Sequence, residues 1–190
     1  NDHINVFAVF DNEEVGSVTK QGAMSTFLVS TLNRINKALG KSDEDYYRAI
    51  AKSMLISCDN AHAIHPNHPE LFDVKNRPVL NKGIAIKESA NQKYTTDAFS
   101  RAVLKKILDN KNIPYQTFAN RSDIVGGSTL GNLSNTAVSM NAVDIGLPQL
   151  AMHSAYETAG AKDVEYAIEA LRAFFETNID IKDDKVSLEA

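Results

Sequence analysis

The sequence predicts an α/β layered fold. Two observations carry that prediction. Short, bounded runs of β-branched and aromatic residues alternate with longer stretches of helical periodicity, and strands alternating with helices favour layered α/β architecture. The composition is that of an ordinary globular chain, with 43% hydrophobic and 23% charged residues in a length of 190. Such a chain buries a substantial core, and one domain is the natural division.

In chain order, strand-like runs occupy 4–10, which reads INVFAVF, then 83–87, 115–118 and 143–145. Helical spacing sets Thr26, Val29, Leu32 and Ile35 on one stripe within 25–39. Asp43 followed by 46–55 suggests a second helix, and 97–110 a third, with Ala98, Ala102, Ile107 and Leu108 among lysines and arginines. The last spans 163–178, with Val164, Ala167, Ile168, Leu171 and Phe175 on its apolar stripe and Asp163 suited to its N-cap. Between these, 63–79 is polar and holds Pro66, Pro69 and Pro78, as a long surface loop would. The acidic tail after Asn178 either closes on a short strand or frays.

Several classes are excluded. A formal charge of −4 attracts neither nucleic acid nor an anionic membrane. No apolar run approaches the roughly 18 residues needed to span a bilayer. One cysteine, Cys58, leaves no intrachain disulfide, so a reducing, cytoplasmic compartment is expected. The chain opens almost directly into its first strand-like run without a Met, as a fragment of a longer polypeptide would, or a chain with a removed tag.

Four segments carry candidate chemistry. Asp11-Asn12-Glu13-Glu14-Val15-Gly16-Ser17 follows the first strand-like run. In open α/β sheets, ligands gather beyond the carboxyl ends of strands. Adjacent glutamates there can divide labour, one binding a metal and the other holding a proton, or can form a solvated acidic turn. In the second segment Asp59 ends the apolar stretch 54–58, and His62, His65 and His68 follow at spacing three. Pro66 and Pro69 break the helix that an all-histidine zinc site would need, which leaves His62 and His65 to orient neighbouring groups through hydrogen bonds or to stand in solvent. Third, Gly126-Gly127-Ser128-Thr129-Leu130-Gly131 lacks the lysine of a phosphate loop. Its glycines either let backbone approach a substrate or relieve crowding at a turn. Fourth, His153 follows the run at 143–145 after a short loop, with Glu157 beyond it.

Five motifs in order, from Asp11–Ser17 through 59–67, 87–94 (KESANQKY) and 127–131 (GSTLG) to 148–154 (PQLAMHS), resemble the aspartyl aminopeptidases, cytosolic dinuclear zinc exopeptidases. The resemblance runs over roughly residues 5 to 176. It implies a zinc-exopeptidase-like, three-layer mixed sheet with flanking helices, incomplete here. It also implies that residues 1–190 form the C-terminal portion of a catalytic domain, with the N-terminal part and the dimerisation domain outside. By the same resemblance Glu13 is the general base, Glu14 and His153 ligands of one metal, and Asp59 a ligand of the other. Lys87 would pair with an acidic substrate side chain, and Gly127, Ser128 and Thr129 would face the substrate's main chain. The cofactor implied is two zinc ions, with cobalt or manganese as alternatives; the partners are a peptide substrate and further copies in a homo-oligomer. The first histidine and the bridging aspartate of such a site fall before Asn1. Two readings follow: part of a metal-dependent aminopeptidase acting on N-terminal, acidic residues, or an inactive fragment or non-catalytic assembly module of that family.

Overall fold

A computed structural model describes residues 3–182 and 185–189. Its main sheet contains β1 (Met54–His62), β2 (Ile84–Glu88), β3 (Tyr115–Ala119) and β4 (Asn141–Leu150) in the spatial order β1-β4-β2-β3. β4 runs parallel to β1 and antiparallel to β2, and β2 runs parallel to β3. The two-residue β5 (Thr158–Ala159) extends the pairing at the end of β4. The sheet is therefore mixed, as expected.

The side-chain alternation of strands splits this sheet into two unlike faces. On one face lie Ile84, Ile86, Val143 and Ile145, covered by α3 (Ala98–Asn110) and α5 (Ala161–Glu176). α3 contributes Val103, Leu104, Ile107 and Leu108, and α5 contributes Ala167, Ala170 and Ala173. Each fully buried Leu or Ile stabilises this layer by roughly 1.5–3 kcal/mol. The opposite face is polar. Its register sets Ser57 beside Asp144 and Lys87 across from Asp144, with Asp59 opposite Gly146. The short α4 (Leu130–Ser134) packs on this face, against β1 and β4. α1 (Phe27–Ala38) and α2 (Asp43–Ala51) pack against each other, and β6 (Asn178–Lys182) with β7 (Lys185–Glu189) form a separate hairpin.

Four expectations are corrected. Residues 4–10 form no strand: the run is irregular and open, with Phe7 80% and Val9 71% exposed. β-propensity becomes a strand only where a partner supplies the ladder, and among the described residues this run has none. The helix expected to reach residue 55 ends at Ala51, because Met54 and Leu55 already belong to β1. That strand continues through Asp59 to His62 rather than stopping at Cys58. Asp163 does not cap α5. Gly160 holds the N-cap position, while the fully buried Asp163 carboxylate accepts the backbone N–H groups of Asn81 (2.6 Å) and Gly83 (2.9 Å). It thus ties the turn entering β2 to the helix under the sheet. The tail closes on a strand pair rather than fraying.

Candidate functional site

β1 and β4 run in the same direction, so their carboxyl ends open on one side of the sheet. Asp59 lies near the end of β1, and His153 follows β4 in a tight loop. That loop bends through left-handed backbone at Ala151 (φ 54°) and His153 (φ 69°), a strained conformation for residues with a Cβ. The His153 N–H donates to Glu157 Oε1 (2.5 Å), which holds the loop closed.

Glu13 and Glu14 sit in a single 3-10 turn, Glu13–Val15, rather than at a strand end. At three residues per turn, successive side chains diverge by about 120°, so the two carboxylates still face different ways. The turn is fixed by left-handed Asn12 (φ 60°), by Gly16 (φ 95°) and by the Ser17 N–H donating to Asn12 O (3.0 Å).

The turn brings Glu14 Oε2 to 3.0 Å from His153 Nε2, although 139 positions separate them in the chain. Both side chains are largely exposed, and exposed pairs contribute about 0–1 kcal/mol. Stability therefore does not explain the approach, which sets one carboxylate and one imidazole at a single point. The Glu13 carboxyl is held above the usual carboxylate range, first by burial, then by the negative charges of Asp59 and Glu14. Lys87 and His153 oppose that rise.

Lys87 is 3% exposed and donates from Nζ to Asn60 O (2.7 Å), with the ammonium 5.1 Å from the Tyr94 ring centroid. Burial lowers its pKa, and Asp59, Asp144, Cys58 and Glu13 push it back up. The two histidines of the 59–67 motif part company. The pKa of His62 is lowered by burial and then by Lys87 and His153, and its ring lies 6.4 Å from that of Phe118. His65 accepts the Asn67 N–H at Nδ1 (3.2 Å) and lies beside His68, ring centroids 5.2 Å apart. No hydrogen bond joins either to Glu14, Asp59 or His153 among the described residues.

The glycine turn resolves position by position. A side chain at Gly126 would collide with Asn120 Nδ2, and one at Gly131 would meet Ser57 Cβ at 2.7 Å, so both glycines relieve crowding. Nothing lies within 4 Å of a Cβ built at Gly127, and Ser128 is exposed. Thr129 is buried. Its hydroxyl donates to Asp144 Oδ1 (2.8 Å) and its N–H to Asn132 Oδ1 (3.1 Å). Thr129, expected to face the substrate's main chain, thus spends its hydroxyl and its N–H internally.

Asp144 is the residue that sequence reasoning missed. It is 0% exposed on the central strand, and the visible trace is a lone acid inside the apolar run Val143-Asp144-Ile145. A cleft of about 560 Å³ lined by Phe72, Arg77, Arg121 and Asp123 contains none of the site residues.

The donor set fits zinc in part. Imidazole nitrogen and carboxylate oxygen are its normal ligands, and Glu14 and His153 present one of each at contact distance. Among the described residues no three such side chains stand close enough to enclose an ion.

These features define a class: an α/β domain with a mixed sheet in which a glutamate from a tight turn meets an imidazole just past a strand end. A family model described as aminopeptidase I zinc metalloprotease (M18) matches residues 1–175, and the chain belongs to that family. It is 50% identical over 171 residues to the "Probable M18 family aminopeptidase 2" of Clostridium novyi, covering 90% of this chain and 40% of that protein. It is 43% identical over 173 residues to aspartyl aminopeptidase 1 of Schizosaccharomyces pombe, covering 91% of this chain and 36% of the relative. Among solved structures, that of the Ape4 and Nbr1 complex matches with a TM-score of 0.85 and 44% identity over 87% of this chain and 31% of the other. The S. cerevisiae mApe1 dodecamer matches at 0.77 with 29% identity, over 88% of this chain and 36% of the other. The chain spans about 40% or less of the length of these relatives.

Proposed function

We propose that this chain carries the later portion of the catalytic domain of a zinc-dependent aminopeptidase that removes acidic N-terminal residues from peptides. The observation that carries the reading is the meeting of Glu14 and His153 at 3.0 Å beside a half-buried Glu13 whose carboxyl is held above its ordinary range. Glu14 and His153 would hold one zinc ion and Asp59 a second; cobalt or manganese would suit the same donors. When bound, zinc polarises the scissile carbonyl and brings the acidity of a water near pH 7. Glu13 takes a proton from the attacking water at a carboxylate oxygen and hands it to the departing amine. A raised pKa suits both halves of that task.

Lys87 supplies the acidic preference: its ammonium has donors beyond the one given to Asn60. The open space at Gly127 and the exposed Ser128 are where substrate backbone would lie. His62 tunes the site from beside Lys87. The aspartyl aminopeptidase name of the fission-yeast relative supports the acidic preference, and the dodecameric neighbour supports homo-oligomeric assembly. No helix among the described residues is long and apolar enough to cross a membrane; with one cysteine and a charge of −4, a cytoplasmic location without a nucleic-acid partner fits. A second reading, a non-catalytic assembly module, is favoured by the lack of three converging donors among the described residues.

In the complete zinc-loaded polypeptide, Glu13→Gln should lower turnover by about 10²–10⁴-fold, the range of a lost general base, with zinc content nearly intact. Loss of metal instead would mean that Glu13 and Glu14 have exchanged roles. A complete wild-type polypeptide that binds zinc but cleaves no N-terminal Asp, Glu or Leu peptide would establish the assembly reading.

A further inference from the structure

The polar face of the sheet spends a fully buried carboxylate away from the donors discussed above. Asp144 Oδ2 accepts both the N–H (2.5 Å) and the hydroxyl (2.8 Å) of Thr95, and Oδ1 accepts the hydroxyl of Thr129 (2.8 Å). Its own N–H donates to Thr96 Oγ1 (2.9 Å). The neighbouring register position on β1, Ser57, accepts the N–H of Gly131 (3.0 Å), which secures the start of α4 beside it. An ionised carboxylate is costly to bury, and bonds to it are about twice as strong as neutral ones. Asp144 lies outside the apolar core, so packing does not account for that cost. The chain segments it holds do. Each threonine it clamps sits next to a member of the expected substrate pocket or to a residue that touches one. Thr95 follows Tyr94, whose ring lies against the Lys87 ammonium. Thr129 follows the exposed Gly127-Ser128 pair. Lys87 is itself the cross-strand partner of Asp144.

We propose that Asp144 is a positioning residue for substrate selection. From one point on the central strand it anchors the loop after β2 and the end of the glycine turn, and so sets Tyr94, Lys87 and the 127–128 backbone relative to one another. The proposal rests on the aminopeptidase reading for its consequence in specificity, but the anchoring itself does not.

The test compares wild type with Asp144→Asn in the complete polypeptide, by amide hydrogen exchange and by kinetics on N-terminal Glu and Leu substrates. An amide keeps one acceptor but turns an NH2 group toward donors, leaving buried hydrogens unpaired. Exchange should quicken at Thr95 and across 125–129 in the variant, and the Glu-to-Leu ratio of kcat/KM should fall about tenfold, the size of one lost buried hydrogen bond. Thr129→Val should reproduce part of both effects and Thr129→Ser should restore them, which keeps the idea testable if Asp144→Asn does not fold. Unchanged exchange in both segments would overturn the proposal. So would an equal loss on Glu and Leu substrates together with a lowered melting temperature, which is the mark of a purely structural residue. A wild type with no peptidase activity would instead remove the functional reading, and exchange alone would then decide the anchoring.

Discussion

A buried ammonium that gives its one observed hydrogen bond to a main-chain carbonyl, as Lys87 gives to Asn60, has a surplus of donors. Burial lowers its pKa, and the carboxylates around it, Asp59 and Asp144 foremost, oppose that shift. A substrate carboxylate entering the site would take up this surplus. Lys87→Met should therefore raise KM for N-terminal Asp and Glu peptides by about tenfold or more, the worth of one charge-assisted bond, with little change for Leu peptides. Steady-state kinetics on matched peptides checks this, and equal effects would remove Lys87 from the specificity pocket. At this scale the motifs are legible in the sequence, and of the residues they single out the fold brings Glu14 and His153 into contact. The sequence misled where one residue type serves two purposes. Asp163 at the head of a helical stripe looks like a cap, and nothing local shows that its carboxylate answers Asn81 and Gly83 instead. Thr129 stood in a turn that resembled a substrate loop, yet its hydroxyl is committed inward to Asp144.

Elements that carry their own signals were recovered. α3 begins where Asp97 and Ser100 exchange hydrogen bonds, Asp97 Oδ1 accepting the Ser100 N–H (2.7 Å) and Ser100 Oγ the Asp97 N–H (3.1 Å). α2 has the same reciprocal device in Ser42 and Asp45 (Asp45 N–H to Ser42 Oγ 3.1 Å, Ser42 N–H to Asp45 Oδ2 2.9 Å). The Ser42 bonds hold the Asp45 carboxyl below its ordinary pKa. A carboxyl depressed by folding stabilises the native state above its unfolded pKa of about 3.9, and that contribution disappears as pH falls through the lower folded value. Ser42→Ala should lower the melting temperature by about 2–4 °C near neutral pH. The difference from wild type should shrink in acid, as thermal melts across the acid range would show; a constant difference at every pH would disconnect Asp45 from the cap. Elements whose signals lie elsewhere in the chain were not legible. Residues 4–10 have strand composition without a ladder partner among the described residues, and β1 runs on through a polar segment because β4 lies beside it to receive it.

The whole molecule divides its labour by sheet face. α3 and α5 close an apolar layer on one side, while the other collects Asp59, Lys87 and Asp144 under α4 and two loops. The layered class followed from alternating periodicities, whereas strand order and direction did not, since they depend on pairings between residues up to about ninety positions apart. The same division limits what these 190 residues do with metal by themselves. With Glu14 and His153 in contact and no third donor joining them among the described residues, zinc should bind weakly. Its binding free energy should fall short of the about 10–16 kcal/mol that complete structural sites release. Calorimetric titration measures it directly, and two tight sites would contradict the half-site geometry.

β1 stands at one margin of the sheet, bonded to β4 and, among the described residues, to no strand on its other flank. Proteins commonly blunt such margins with lysine or proline. Residues 54–62 contain neither, and Asp59 is their one formal charge at neutral pH. In these 190 residues taken by themselves, this stretch is where two copies would first find each other's backbone, and light scattering across a dilution series should show association that grows with concentration.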